Sequence, residues 1–215
     1  MQEILEVKHE DIVISSIIEN YQSGLWSVPE ALSNCTWAKR KNNVVNYIAS
    51  LYLGSPPFGV TIWESPEIVP FDHYETRNRV WMLDGYYRIL ALIKAMDKES
   101  DLRIVFNPRV IDNGKGSEGQ FRLASAMTRN TPGWIDVSRV LGSREDFCTV
   151  LDEEESKEYL IRFIQLREIL NIKIPILKFT GYSREMIVDV FLSIKMTRDL
   201  KRRGLSTFIA HDCCG

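Results

Sequence analysis

The segment from Val80 to Met96 constrains the fold of this 215-residue chain more than any other. Arg79 to Leu83, Arg-Val-Trp-Met-Leu, reads as a buried strand. Asp84-Gly85 is a turn signal, and Tyr86 to Met96 reads as the helix that follows, rich in Ile89, Leu90, Leu92 and Ile93. Glycine permits a tight turn with no side chain in the way. A helix start offers unpaired N–H groups and a partial positive charge, which together cradle an anion. Arg88 falls in the first helical turn and can add a bidentate contact to a phosphate. Asp84 suits three roles: orienting a metal-bound water, binding a ribose hydroxyl, or capping the helix. The plain alternative is a capped helix with a solvent-facing arginine.

Around this segment the pattern predicts a mixed order of elements. Asp11 to Tyr21 reads as a short helix ended by Gly24, and Trp37 to Leu53 as an amphipathic helix. Val44, Val45, Ile48, Leu51 and Tyr52 mark its apolar face, and Gly54 stops it. Gly59 to Trp63 reads as a strand, Ser65 to Asn78 as a polar loop, and Arg103 to Phe106 as a strand. Asn107 to Gly119 is patternless loop, Phe121 to Ala126 an edge strand, and Trp134 to Leu141 fits either a strand or a helix. Arg144 to Leu151 and Glu153 to Leu170 read as helices, the second with Leu160, Phe163, Ile164 and Leu170 inward and an acidic start at Asp152 to Glu155. Ile172 to Thr180 carries Pro175 and is expected at a sheet edge. Ser183 is expected to cap a helix over Arg184 to Met196, with Ile187, Phe191 and Ile194 buried, and Leu205 to Ala210 to begin another. This is an α/β (α+β) layout: a small mixed sheet with surrounding helices and no dividing linker. Residues 1–215 are expected to form a single domain, with a helical lobe over about 121–170.

Bulk composition excludes several classes. A net charge of −2 draws the chain to neither DNA nor anionic lipid, so nucleic-acid binding would need a local patch. The histidines His9, His73 and His211 are scattered. Cys35, Cys148, Cys213 and Cys214 contain no C-x-x-C pair, which argues against a zinc knuckle and for a reduced chain. Cys213 and Cys214 read as thiols of a frayed terminus. The opening residues carry acids and no apolar signal core, and no stretch approaches the roughly 18 apolar residues of a spanning helix. A cytoplasmic location without membrane insertion is expected.

Val80-Trp-Met-Leu-Asp-Gly-Tyr-Tyr-Arg-Ile-Leu-Ala-Leu resembles the D-G-Q-Q-R segment of the ParB/sulfiredoxin-like superfamily, in the branch found at the N-terminus of GmrSD-type modified-DNA restriction enzymes. That branch is similar to the phosphorothioate-sensing DNA defence proteins. Trp37 to Pro57 resembles its tryptophan, basic helix, leucine, glycine and proline pair. Ile174-Pro-Ile, Val190-Phe-Leu-Ser-Ile and Leu205-Ser206 resemble the closing strand, helix and turn, so the likeness spans about residues 25–206. It implies a ParB/sulfiredoxin-like fold that binds, and often hydrolyses, nucleoside triphosphates in a DNA-related setting. Three motif positions depart. Val28-Pro-Glu-Ala-Leu-Ser stands where the family has I-P-x-x-Q-R, Tyr86 and Tyr87 replace two glutamines, and Lys195 replaces an asparagine. Asp84 and Arg88 carry over as the candidate catalytic residues. The 215 residues also end before the separate nuclease domain of such enzymes.

The basic cluster Lys195, Arg198, Lys201, Arg202 and Arg203 fits either phosphate contact or a solvated helix end. Arg40 and Lys41 fit a phosphate or ordinary helix surface. Trp26, Trp37, Trp63, Trp81 and Trp134 are candidates for stacking on a base, with Trp81 expected in the core instead; Tyr86 and Tyr87 are ambiguous, and a helix start beside a pocket would let one stack on a base while the other packs inward. The first expectation is a divergent nucleotide-binding domain with NTP hydrolysis or phosphotransfer, in a restriction-modification or other phage-defence context. Gly85, Tyr86, Tyr87, Lys195 and Arg198 would surround a nucleoside triphosphate with Mg²⁺. The alternative is a catalytically inactive ParB-like domain that binds DNA or a protein partner through Lys195 to Arg203. A plain DNA-binding module is the third reading, and the net charge counts against it.

Overall fold

In the computed structural model, residues 6–28, 41–71, 75–110, 119–153, 157–183 and 185–190 are described. Their strands are β1 (Glu6–Val13), β2 (Trp26–Ser27), β3 (Val60–Phe71), β4 (Glu75–Asp84), β5 (Ile104–Phe106), β6 (Phe121–Leu123), β7 (Ile135–Asp136) and β8 (Lys173–Thr180). The helices are α1 (Ile14–Gln22), α2 (Lys41–Tyr52), α3 (Tyr86–Met96), α4 (Ala126–Asn130), α5 (Val137–Leu141), α6 (Arg144–Asp152) and α7 (Leu160–Arg167), with helical residues again at 185–190. The fold is thus mixed α/β. No helix among the described residues is long and apolar enough to cross a membrane.

Five strands form a mixed sheet in the order β1-β8-β3-β4-β2. The outer pairing β1–β8 and the hairpin β3–β4 are antiparallel, whereas β8–β3 and β4–β2 are parallel. Alternation along the central strands covers both faces. Val60, Ile62, Met82, Ile174 and Ile176 enter one core with α1, α2 and α3, while Trp63, Leu83 and Phe179 point the other way and meet Ile187. Trp81, Leu177, Tyr182 and Val190 pack against that second cluster, and the Trp63 indole donates to the Tyr182 carbonyl at 3.0 Å. An unbroken apolar run such as Val80 to Leu83 is what a strand covered on both faces requires.

A smaller antiparallel sheet, β6-β5-β7, joins the same core. Phe106 of β5 stands 4.9 Å from Phe121, 5.3 Å from Tyr52 of α2 and 6.1 Å from Phe163 of α7, so one aromatic cluster ties the second sheet to two helices. Residues 121–171 carry α4 to α7, β6, β7 and a closing 3₁₀ turn at Glu168–Asn171.

Several expectations hold where the structure describes them. Helix α3 spans the expected residues, and all five apolar-face residues of α2 are buried. Gly54, at φ 77°, ends α2 in a Schellman motif: Ser55 N–H donates to Ser50 O at 2.9 Å and Gly54 N–H to Leu51 O at 3.0 Å. The Ser183 hydroxyl accepts from Met186 N–H at 3.3 Å, as a cap should. Strand β6 lies at the edge of its sheet, and Trp134–Leu141 divides into β7 and α5.

Four expectations are corrected. The first helix begins at Ile14, not Asp11, because Glu6 to Val13 pairs with β8 over its whole length, a long-range ladder that no local pattern announces. The loop expected over Ser65 to Asn78 is mostly hairpin: pairing shifts register after Glu64, resumes with Ile68 opposite Asn78 and runs to Phe71 opposite Glu75. The long helix over Glu153 to Leu170 is shorter. Asp152 ends α6, Glu153 follows it and pairs with Arg139 at 2.6 Å, and α7 starts at Leu160, leaving Leu160 and Ile164 exposed while Phe163 and Leu170 are buried. Strand β8 lies inside the sheet despite Pro175. The β3 ladder starts one residue later, at Val60 opposite Ile176, and the Pro175 carbonyl faces Gly59, so its missing N–H falls where β3 has no partner to lose.

The Val28-to-Ser33 motif beyond Val28, Cys35, Trp37, Arg40, His73, Glu154 and Glu155 lie outside the described residues. So do the cluster from Lys195 to Arg203, the closing segment Leu205 to Ala210, His211, Cys213 and Cys214.

Candidate functional site

Strand β4 ends at Asp84, opposite Thr61 of β3. The chain then turns through Gly85, whose φ of 78° is left-handed, and α3 begins at Tyr86. The turn presses on the start of β3: a β-carbon on Gly85 would lie 2.7 Å from the Gly59 carbonyl oxygen and 3.2 Å from the Val60 α-carbon. Glycine is required there both by backbone angle and by space. Gly85 is the N-cap of α3 and has no side chain to occupy the first N–H groups of the helix.

Asp84, Tyr87 and Arg88 line one open cleft of about 670 Å³. Phe58 and Gly59, just before β3, and Val60 and Thr61 at its start line the cleft together with Pro175, Ile176 and Leu177 of β8. The β1–β8 pairing carries His9, Glu10 and Asp11 to its far wall. The Arg88 guanidinium is held between two aromatic rings, 4.3 Å from the centroid of Phe58 and 4.5 Å from that of Tyr87. Its backbone N–H closes the first turn of α3 on Gly85 O at 3.0 Å. Among the described residues no carboxylate forms an ion pair with it.

Tyr86 takes the other course. It is buried in the main core and meets Tyr87 edge-on, at 5.8 Å and 80°. Tyr47 of α2, also buried in the main core, is close enough to Arg88 to feel its charge. Burial pushes its phenol up to about 12; neighbouring Tyr87 acts in the same direction and the positive charge of Arg88 opposes both.

Among the described residues, the cleft therefore sets three carboxylates, Glu10, Asp11 and Asp84, against one guanidinium, with His9 also in the lining. Among the described residues no group of three or more His, Cys, Asp or Glu could hold a metal ion by itself. Mg²⁺ commonly binds through one or two carboxylates together with substrate phosphates, and a donor set of this kind fits that mode.

The turn thus brings together Asp84, Gly85, Tyr87 and Arg88 of the expected site, sends Tyr86 inward, and Lys195 and Arg198 are outside the described residues. Of the tryptophans, Trp26 and Trp63 are core, Trp81 supports the second cluster, and Trp134 lines a smaller cavity of about 170 Å³ with Arg109 and Arg139. Sequence reasoning missed Phe58, Tyr47 and the strip His9 to Asp11. Tyr47 was detectable, three residues from Val44 and four from Leu51 on the apolar face of α2; the strip on β1 gave no local signal.

No protein-family model matches this sequence, and no curated protein was found to match it.

Proposed function

We propose that this chain is a divergent nucleotide-binding domain with a ParB/sulfiredoxin-like fold, resembling the N-terminal domain of GmrSD-type enzymes, and that it takes a nucleoside triphosphate with Mg²⁺ in the cleft at the β4–α3 turn. The observation that carries this reading is the gathering of Asp84, Tyr87 and Arg88 around one cleft at the start of α3. The helix start and the guanidinium would hold phosphate. Asp84 would meet Mg²⁺ or a ribose hydroxyl. A DNA-related or phage-defence role, in a cytoplasmic setting, follows from the resemblance alone.

A second reading has a specific observation behind it. Phosphoryl transfer depends on groups that position and neutralise the moving phosphate. Of the two positions where the family has glutamines, Tyr86 is committed to the core and Tyr87 stacks on Arg88. Neither offers an amide to phosphate, which favours a domain that binds without hydrolysing and signals to a protein or nucleic-acid partner, with Lys195 to Arg203 as its candidate contact.

The deciding experiment is calorimetry with ATP, GTP, CTP and ADP in the presence of Mg²⁺, on wild type and Arg88→Ala. Saturable binding that is lost in Arg88→Ala supports the site. Phosphate release with any ligand that binds assigns an enzyme, and binding without release assigns the second reading. Absence of binding by the folded protein overturns the nucleotide proposal.

A further inference from the structure

Phe58 is the one exposed phenylalanine, tyrosine or tryptophan ring among the residues whose side chains are described, at 64 % of its full surface. It is not a loose surface residue. It lines the cleft, one face rests on the Arg88 guanidinium at 4.3 Å, and Gly59 and Val60 anchor it at the start of β3. Arg88 is in turn backed by Tyr87, which is edge-on to the buried Tyr86, so the stack Phe58–Arg88–Tyr87 is built outward from the core. An apolar ring kept at the mouth of a polar cleft gains by covering its free face with another flat, apolar surface. A cation beneath the ring withdraws electron density from it and favours an electron-rich partner above.

We propose that the free face of Phe58 is the stacking surface for the base of the bound nucleotide, and that it selects purines over pyrimidines by the larger area a two-ring base covers. This rests on the nucleotide reading of the cleft and adds to it the residue that holds the base. Arg88 then has two tasks: its N–H edge is turned to phosphate and its flat face supports the ring that supports the base.

The test separates base from phosphate. Wild type, Phe58→Ala, Phe58→Trp and Arg88→Ala are titrated, with Mg²⁺, against ATP, GTP, CTP, UTP and inorganic tripolyphosphate. The expected result is tighter binding of purine than of pyrimidine nucleotides by wild type. Phe58→Ala should lose about tenfold in affinity for ATP and GTP, approach its affinity for tripolyphosphate, and leave tripolyphosphate binding unchanged. Phe58→Trp should keep the purine preference. Equal losses for nucleotides and tripolyphosphate in Phe58→Ala would mean that the ring only positions Arg88, and would overturn the stacking role. Unchanged nucleotide binding in Phe58→Ala, with loss in Arg88→Ala, would overturn it too while leaving the nucleotide site standing. Failure of wild type to bind any of the five overturns both. Since Phe58 is largely exposed, its replacement leaves the core intact, and matching thermal melts would establish that each variant is folded.

Discussion

Gly85 and Gly59 come so close that a β-carbon on Gly85 would stand 2.7 Å from the Gly59 carbonyl oxygen. The contact fixes where α3 starts relative to β3, and so fixes the cleft. Gly85→Ala should cost about 3 kcal/mol, combining the left-handed backbone angle with a forced shift of β3 backbone. Gly85→Asn separates the two causes. Asparagine tolerates a left-handed angle but carries the same β-carbon, so it should remain destabilised by about 2 kcal/mol in urea unfolding. Recovery of nearly wild-type stability by Asn would show that the close approach is unimportant.

The β4–α3 turn could be read from sequence because its signals are local: a run of apolar residues, Asp84-Gly85, then apolar spacing at helical period. The same holds for α2, where five expected face residues are buried, and for the Ser183 cap. Strand β1 could not be read in this way. Glu6 to Asp11 is exposed, carries no alternation, and is held by a ladder to Thr180 through Pro175, toward the far end of the described chain. That ladder also delivers His9, Glu10 and Asp11 to the cleft, so half of its polar wall was invisible for the same reason. Pro175 misled because a proline argues for an edge only where its missing N–H would face a partner, and here β3 begins one residue later.

Tyr47 should make stability fall in alkali. Its phenol is raised from 10.0 to about 12, mainly by burial. The folded protein thus favours the neutral form. That contribution is complete below pH 10, the unfolded value, and is lost as pH rises toward 12. Two logarithmic units correspond to roughly 2 to 3 kcal/mol. Tyr52 is raised by burial as well, against the opposing charge of Arg162, and adds to the effect. Between pH 9 and pH 11 (about one unit either side of the ordinary phenol value), Tyr47→Phe should lose less stability than wild type in chemical denaturation. Parallel pH profiles for the two proteins would remove Tyr47 from the explanation.

Ser143 closes the N-terminus of α6 twice. Its hydroxyl oxygen accepts from Asp146 N–H at 3.1 Å, and the hydroxyl donates to the Asp146 carboxylate at 2.7 Å. Ser143→Ala should cost about 1 kcal/mol, and Ser143→Asp, which retains the acceptor, should cost less. The Asp146 carboxyl is held below its ordinary range first by Lys98, at 2.5 Å, and then by Ser143. Its stabilising contribution is present above the ordinary carboxyl value and is lost as pH falls through the lowered one. The penalty of Ser143→Ala should therefore shrink in acid; a penalty that stays constant down to the acid transition would place the effect in the backbone cap alone.

The charges around the cleft lead to a metal requirement. Among the described residues, Glu10, Asp11 and Asp84 face a single guanidinium, so a bare triphosphate meets more negative than positive charge from this part of the cleft. Wild type should bind ATP weakly in EDTA and well with Mg²⁺. Neutralising one carboxylate shifts that balance. Glu10→Gln should strengthen metal-free ATP binding by about threefold, an interaction of roughly 0.6 kcal/mol across an open, water-filled site. Asp84→Asn removes the same charge but also the group assigned to Mg²⁺ or ribose, so it should gain in EDTA and lose with Mg²⁺. This crossing of signs between the two conditions is what distinguishes a ligand of the nucleotide complex from a carboxylate that merely contributes field. If Glu10→Gln and Asp84→Asn respond alike in both conditions, Asp84 holds neither metal nor sugar and acts only as the end of β4.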